Sequence, residues 1–378
     1  MDLGTQLTVL AGPTIPVPLP QPLAARIVSV ASRETDAARS AFSITFDAGR
    51  SGPAELMDSP LLAYPGLRTG SRVSIFVTTN AVPQVMVDGF ITEVQHQPGS
   101  APGTSKMVVK GEDVSWLLDK DEVSVERPMD DYPQVLMILS SYTARGIIPM
   151  AVPPTDMDPP LPTDRIPQQR GTDHAHLWLL ARRHGYVTYA FPGPAPGTST
   201  YYWGPPVRAG VPQPAVTIGQ PPSTNVVGEV AFAVDAHGPV SVKGRDIDRR
   251  IGEAYPIRTG APMRVPLSLK PLAVERAADT RVRLANESGS STTGTMARAQ
   301  ALVDAGADAV TAKGKLDGSR YGGALRPRGL VGVRGAGYAH DGLWYVRSVE
   351  HTWSHGEWTQ DFELARDGYG STVPAVRP

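Results

Sequence analysis

The sequence predicts a mainly β protein, α+β overall, and three observations lead there. Residues 357–364 alternate strictly, with Trp358, Phe362 and Leu364 on one face and Glu357, Thr359, Asp361 and Glu363 on the other. That is the period of a half-buried strand. Leu343 to Thr352 is dense in aromatic and β-branched residues, Ser354-His355-Gly356 offers a short turn, and Leu330 to Val333 adds a third strand across the loop 335–342, completing a meander. The 38 Gly and 37 Pro in 378 residues are the punctuation of a loop-rich β chain. The meander also has an echo. Asp88-Gly89-Phe90-Ile91 running on to Val94-Gln95-His96 parallels Asp341-Gly342-Leu343-Trp344 running on to Val349-Glu350-His351, and each copy lies between alternating strands. Two related β-domains are the expectation.

In chain order, residues 1–22 carry Pro13, Pro16, Pro18, Pro20 and Pro22 and read as an extended arm. Alternating strands follow at Arg26–Val30, Phe42–Phe46, Arg72–Thr78, Val85–Val94 and Lys106–Lys110, with Gly99, Pro102 and Gly103 in a loop. They predict a small barrel or sandwich over 23–118. A middle α+β domain is expected over 119–205. Its first helix starts near Pro133 after Asp130 and Asp131; a loop with Pro153, Pro154, Pro159, Pro160 and Pro162 follows. A second helix is capped by Thr172 or Asp173 and stopped by Gly185. Tyr186–Ala190 and Thr200–Trp203 form a hairpin. The second β-domain is expected to be discontinuous, 206–250 with 313–370, and to include strands at Val226–Asp235 and Val240–Lys243. Between its parts, 251–312 reads as an irregular insertion with a Ser/Thr/Gly loop at Ser288–Thr293 and a helix over Thr295–Ala312. Residues 371–378 are a tail.

Composition narrows the function. The absence of cysteine excludes disulfides, thiolate catalysis and cysteine-bound zinc. A net charge of −1 with 19% charged residues gives no global signal for nucleic acid or anionic membrane. No window approaches the roughly 18 apolar residues of a membrane-spanning helix. His174 and His176 are two apart on a helix and point differently, while His340, His351 and His355 cluster near the turn without supporting carboxylates. Gly335 and Gly337 lie between strands, not between strand and helix, so the glycine-rich loop fails the context of a dinucleotide site. Neither a nucleophile motif nor a paired-carboxylate arrangement is present, and no cofactor, metal or catalytic residue is expected. Lys313 to Glu350 holds seven basic residues against three acidic ones, a face that could guide a passing polyanion or, more simply, meet solvent or a subunit.

The closing stretch Val331-Gly332-Val333-Arg334-Gly335, Asp341-Gly342-Leu343-Trp344-Tyr345-Val346-Arg347-Ser348-Val349-Glu350-His351, continued by Trp358, Phe362, Leu364 and Arg366, resembles the end of the phage late control protein D family of tail and baseplate hub proteins. It is similar too to the hub part of type VI secretion spike and extracellular contractile injection proteins. Asp88-Gly89-Phe90-Ile91 and Leu177–Ala181 before Gly185-Tyr186-Val187 match in kind and order. The resemblance implies two tube-type β-barrel domains and a homotrimer whose six barrels adapt a threefold spike to a sixfold inner tube. It implies as partners an inner tube protein and other baseplate components, with nucleic acid or effector passing transiently through the lumen and no membrane insertion. With no β-helical repeat after residue 370, the spike is expected to be a separate polypeptide. Assembly in the bacterial cytoplasm, then incorporation into a particle, is the implied location. The alternatives are a carbohydrate-binding β module, for which Tyr201, Tyr202 and Trp203 would form the exposed aromatic face, or a hydrolase of a phage tail. In the meander, Trp344 and Val346 are expected on one face and Tyr345, Val349 and Trp353 on the other, so a subunit or the middle domain should cover the second face.

Overall fold

The computed structural model describes residues 5–49, 60–101, 104–155, 157, 159–160, 166–193, 195, 197–248, 252–285, 291–374 and 376. Pro102, Gly103, Pro162 and the 288–290 part of the expected Ser/Thr/Gly loop lie outside them. The fold is mainly β, with two six-stranded units in one chain. The first comprises β1 (Thr5–Gly12), β2 (Ile27–Thr35), β3 (Ala41–Asp47), β4 (Arg72–Thr79), β5 (Val82–Gln97) and β6 (Lys106–Asp113). The second comprises β7 (Gln213–Thr217), β8 (Val226–Val234), β9 (Val310–Asp317), β10 (Leu330–Arg334), β11 (Gly342–Ser354) and β12 (Glu357–Arg366). The sheet orders, β1-β4-β5-β6-β3-β2 and β7-β10-β11-β12-β9-β8, are the same order repeated. One pairing differs, since β1 runs antiparallel to β4 whereas β7 runs parallel to β10.

The repeat extends to irregularities. β5 is bulged at Thr92 against β6, and β11 at Arg347 against β12. Just before each bulge the strand makes two backbone bonds to the segment entering the preceding strand. Gly70 N–H donates to Ile91 O (2.8 Å) and Ile91 N–H to Ser71 O (2.9 Å); Arg328 N–H donates to Val346 O (2.7 Å) and Val346 N–H to Gly329 O (2.9 Å). Gly70 and Arg328 share a left-handed backbone, φ 83° and 67°. Arginine there is uncommon, because its Cβ crowds the backbone at positive φ. Aligned on the bulges, Val94 corresponds to Val349 and His96 to His351. The Asp-Gly pairs are then offset by two residues, Asp88-Gly89 within β5 and Asp341-Gly342 at the start of β11. The turn between β4 and β5 is made instead by Asn80 and Ala81, both at positive φ.

Several expectations are corrected. Residues 5–12 are not an arm: β1 pairs with β4 from Thr5↔Thr79 to Gly12↔Arg72, and Val9 and Ala11 are buried in the first core. The alternation Leu7, Val9, Ala11 precedes the first proline, and the prolines act only where the strand has ended. The helix expected to reach Ala312 stops at Gly306, and β9 begins at Val310. Val240–Ile247 belongs to the insertion, where it pairs with Ala254–Arg258 and Arg281–Leu284 under the helix Thr292–Gly306. The second unit is therefore interrupted between β8 and β9. Val114, Leu117 and Leu118 pack into the middle domain rather than the first unit.

The two tube-type barrels expected from the resemblance are not seen: one six-strand order occurs twice, but among the described residues no pairing closes either unit into a barrel. In the first unit the reason is local: the outer edge of β2, which would have to meet β1, is taken by β11 from Ser348↔Thr35 to Ser354↔Ser29, and Val17–Pro18 pairs with the free edge of β1. The two units thus fuse into one continuous sheet. The bulge at Arg347 also corrects the faces of the meander. One inserted residue reverses the alternation, so Trp344 and Val346 point the same way as Val349, His351 and Trp353, all buried. Tyr345 does face the other side, where Leu267, Leu330 and Leu343 of the same chain cover it.

Candidate functional site at the sheet junction

The functional geometry lies where the units join. β11 carries the joint because its two halves have different partners, β10 before the bulge and β2 after it. Trp353 and Trp358, although they belong to the second unit, pack into the first unit's core, so burial itself holds the units together. His351 stacks on Trp353 (5.6 Å between ring centres) and lies 6.1 Å from Trp358.

Two arginines tie the joint. Arg326 donates to Glu34 Oε1 (3.3 Å) and to Val85 O (2.5 Å). Arg328, almost fully buried, donates from Nε and Nη2 to Thr35 O (3.1 and 2.6 Å), from Nη2 to Ser40 Oγ (3.2 Å), and from Nη1 to Ala190 O (3.3 Å). Its guanidinium lies 3.9 Å over the ring of Tyr189. One side chain thereby touches both units and the middle domain. Sequence reading counted Arg328 only as a member of a charge bias; its left-handed backbone has no sequence signal.

The residues singled out from sequence fall into three places. Asp341, Gly342 and Trp344 surround Arg366, which is fully buried, and Gly335 and Gly337 belong to the loop that leads to them, where Gly337 O accepts from Asp341 N–H. The Arg366 guanidinium donates to Gly368 O (2.9 Å), Asp341 O (3.1 Å) and Ala339 O (2.9 Å) and sits over the Trp344 ring. Asp341 accepts from Ala336 N–H, and Trp344 Nε1–H donates to His340 O. Burial in this loop holds Arg366 down to about 10, below the ordinary arginine range. Gly335, at φ 86°, leaves no room for a Cβ, which would lie 2.0 Å from Ile218 O. The second place is the joint itself, with Tyr345, His351 and Trp353, while Phe362 packs in the second core. The third is Asp88 with Gly89 in β5. Asp88 accepts from Arg72 Nε and Nη2 (2.9 and 2.6 Å), Ser74 Oγ (3.0 Å) and Ser199 Oγ of the middle domain (2.6 Å).

These contacts tie the two units and the middle domain to one another. Among the described residues no three His, Asp or Glu side chains assemble to hold a metal, and no helix is long and apolar enough to cross a membrane. Tyr201, Tyr202 and Trp203 are buried, which overturns the exposed aromatic face that a sugar-binding module needs. The basic residues of 313–350 have acidic or polar neighbours in the same chain, although Lys313 and Arg320 stay mostly exposed. Lys313 and Arg347 pair with Glu363, Lys315 with Asp361, Arg320 with Asp317 and Arg326 with Glu34, while Arg334 bonds Thr217.

His351 gives the joint a pH dependence. Burial, and next the Arg326 charge, push its imidazole down from 6.5 to about 3, against the weaker opposing effect of a hydrogen bond with the Leu325 backbone. The unfolded chain binds a proton here between those values and the folded one does not. Stability contributed by this group is therefore full above about pH 6.5 and falls by about 1.4 kcal/mol per pH unit as pH drops toward 3. Urea titrations at several pH values should show that slope reduced in His351→Phe; equal slopes in both proteins would contradict it.

No family model matches the chain, and no curated protein matches it in sequence. Solved structures do. The chain superposes on a tail protein from Neisseria meningitidis MC58 with a TM-score of 0.63 at 12% identity, covering 97% of this chain and 98% of that one. The fold is shared with phage tail proteins. The 43 kDa tail protein of prophage MuSo2 from Shewanella oneidensis gives a TM-score of 0.62 at 13% identity over 96% and 99% of the two chains. An E. coli protein described as a type VI secretion component similar to bacteriophage T4 tail proteins gives 0.53 at 13% identity over 93% and 77%. All three are described as tail or secretion components and none as an enzyme. Matching nearly end to end, this tail-protein fold includes both units, the middle domain and the insertion.

Proposed function

We propose that the chain is the structural hub of a contractile tail or injection particle, a homotrimer that adapts a threefold spike, carried by a separate polypeptide, to a sixfold inner tube. The observation that supports this reading is the duplication: one strand order occurs twice in one chain, so three chains offer six nearly equivalent units. A threefold object with that property can meet a sixfold ring without a sixfold gene product. The fused sheet and the Arg328 tie suit the role, because an adaptor that transmits force gains from units that do not move against each other. Inner tube and other baseplate proteins are the partners, assembled in the bacterial cytoplasm, with cargo passing through the lumen. Light scattering after size exclusion is expected to give three chain masses. A monomer or dimer at assembly concentrations overturns the proposal.

A further inference from the structure

One sheet junction is made inside the chain, and the equivalent one is left open. After the bulge at Arg347, β11 leaves β10 and pairs with the outer edge of β2. The corresponding elements of the opposite units are the end of β5 after Thr92 and the outer edge of β8. Among the described residues, no strand pairs with β5 on the β4 side beyond Ile91, and none pairs with the outer edge of β8. Unpaired strand edges template the addition of another strand, and proteins usually guard them with charge or proline. The edge Ala231-Phe232-Ala233-Val234 carries neither, and Val234 is 38% exposed.

We propose that a second copy of this chain completes the open junction, the end of β5 of one copy adding antiparallel to β8 of the next. The register follows from the internal junction. There Val349 faces Glu34, Glu350 faces Arg33, His351 faces Ser32 and Thr352 faces Ala31. Following the ladders through β6 and β3 in one unit, and β12 and β9 in the other, makes Ala31 equivalent to Ala231 and Glu34 to Val234. Between copies Val94 therefore faces Val234, Gln95 faces Ala233, His96 faces Phe232 and Gln97 faces Ala231. The contact is head-to-tail, so copies add in one direction until the ring closes. This deepens the trimer reading by naming the surfaces that meet, while the pairing itself rests on the duplication.

The cysteine-free sequence makes the test clean. Directly opposed positions of an antiparallel pair lie within disulfide reach. Val94→Cys and Val234→Cys, made in separate chains, mixed and oxidised, should give a covalent dimer on a non-reducing gel, one disulfide in each mixed ring. Neither variant alone should do so, nor Val94→Cys mixed with Ala231→Cys, which is out of register. Both substitutions are close to isosteric at partly exposed sites, and circular dichroism checks folding. A trimer by light scattering without the mixed dimer overturns the edge pairing and spares the hub reading. A mixed dimer from a chain that never reaches three masses supports the pairing and sinks the trimer. A monomer without the mixed dimer overturns both.

Discussion

Trp344→Ala is expected to lower the unfolding free energy by about 3–5 kcal/mol, the range for truncating a fully buried aromatic. The ring is 0% exposed in the second core, donates through Nε1 to His340 O and lies under the Arg366 guanidinium. Truncation removes packing, a hydrogen bond and the aromatic face of a buried cation together. The loss is a large fraction of what a domain has to spare. From sequence, the large side chains on both faces of the meander point to a second face covered by another subunit or the middle domain, and so to weaker assembly in Trp344→Ala. Its burial within one chain moves the effect to folding, and assembly changes only as its consequence. Equilibrium urea unfolding followed by circular dichroism reads it, with Glu357→Ala on the exposed turn as the neutral control. A loss below about 1 kcal/mol would show that the cavity collapses or that the ring is not seated as described.

Asp88→Ala is expected to cost a similar amount by another route. Removing one member of a buried ion pair leaves the other charge desolvated and unpaired, typically about 3–5 kcal/mol. The Arg72 and Asp88 side chains are 7% and 2% exposed, and Arg72 contacts Asp88 through two nitrogens. Asp88 also accepts from Ser199, so its loss should free the strand Ser199–Gly204 of the middle domain from the first unit. Hydrogen exchange ought to accelerate in that strand and stay unchanged in β12. Replacing both partners by Leu should be less damaging than Asp88→Ala, because no buried charge is then stranded. If the double variant is the worse of the two, the stranded-charge account fails.

Sequence by itself determined the local elements of this protein. The alternation of Trp358, Phe362 and Leu364, the Thr172 cap and the Gly185 stop are short-range signals, and the structure places strand, cap and stop there. Composition also bounded the chemistry, since a chain without cysteine has no thiolate to use. The duplication was legible through Val94-Gln95-His96 and Val349-Glu350-His351, because residues flanking equivalent bulges share an environment. Its Asp-Gly half was misaligned by two residues, because the register is set by the equivalent bulges and no residue type announces a bulge. That same bulge decided the inward face of β11, which no alternation rule could give. Only the tertiary structure decided that β1 is a strand of the first core, that β9 follows the insertion, and that β11 crosses to β2 and takes the edge on which the first unit would close. Those outcomes depend on which edges meet at long sequence separation, and backbone pairing is nearly blind to side-chain identity. Arg328 marks the limit most clearly: its role comes from a left-handed backbone and from carbonyls at Thr35 and Ala190, two segments far from it in sequence.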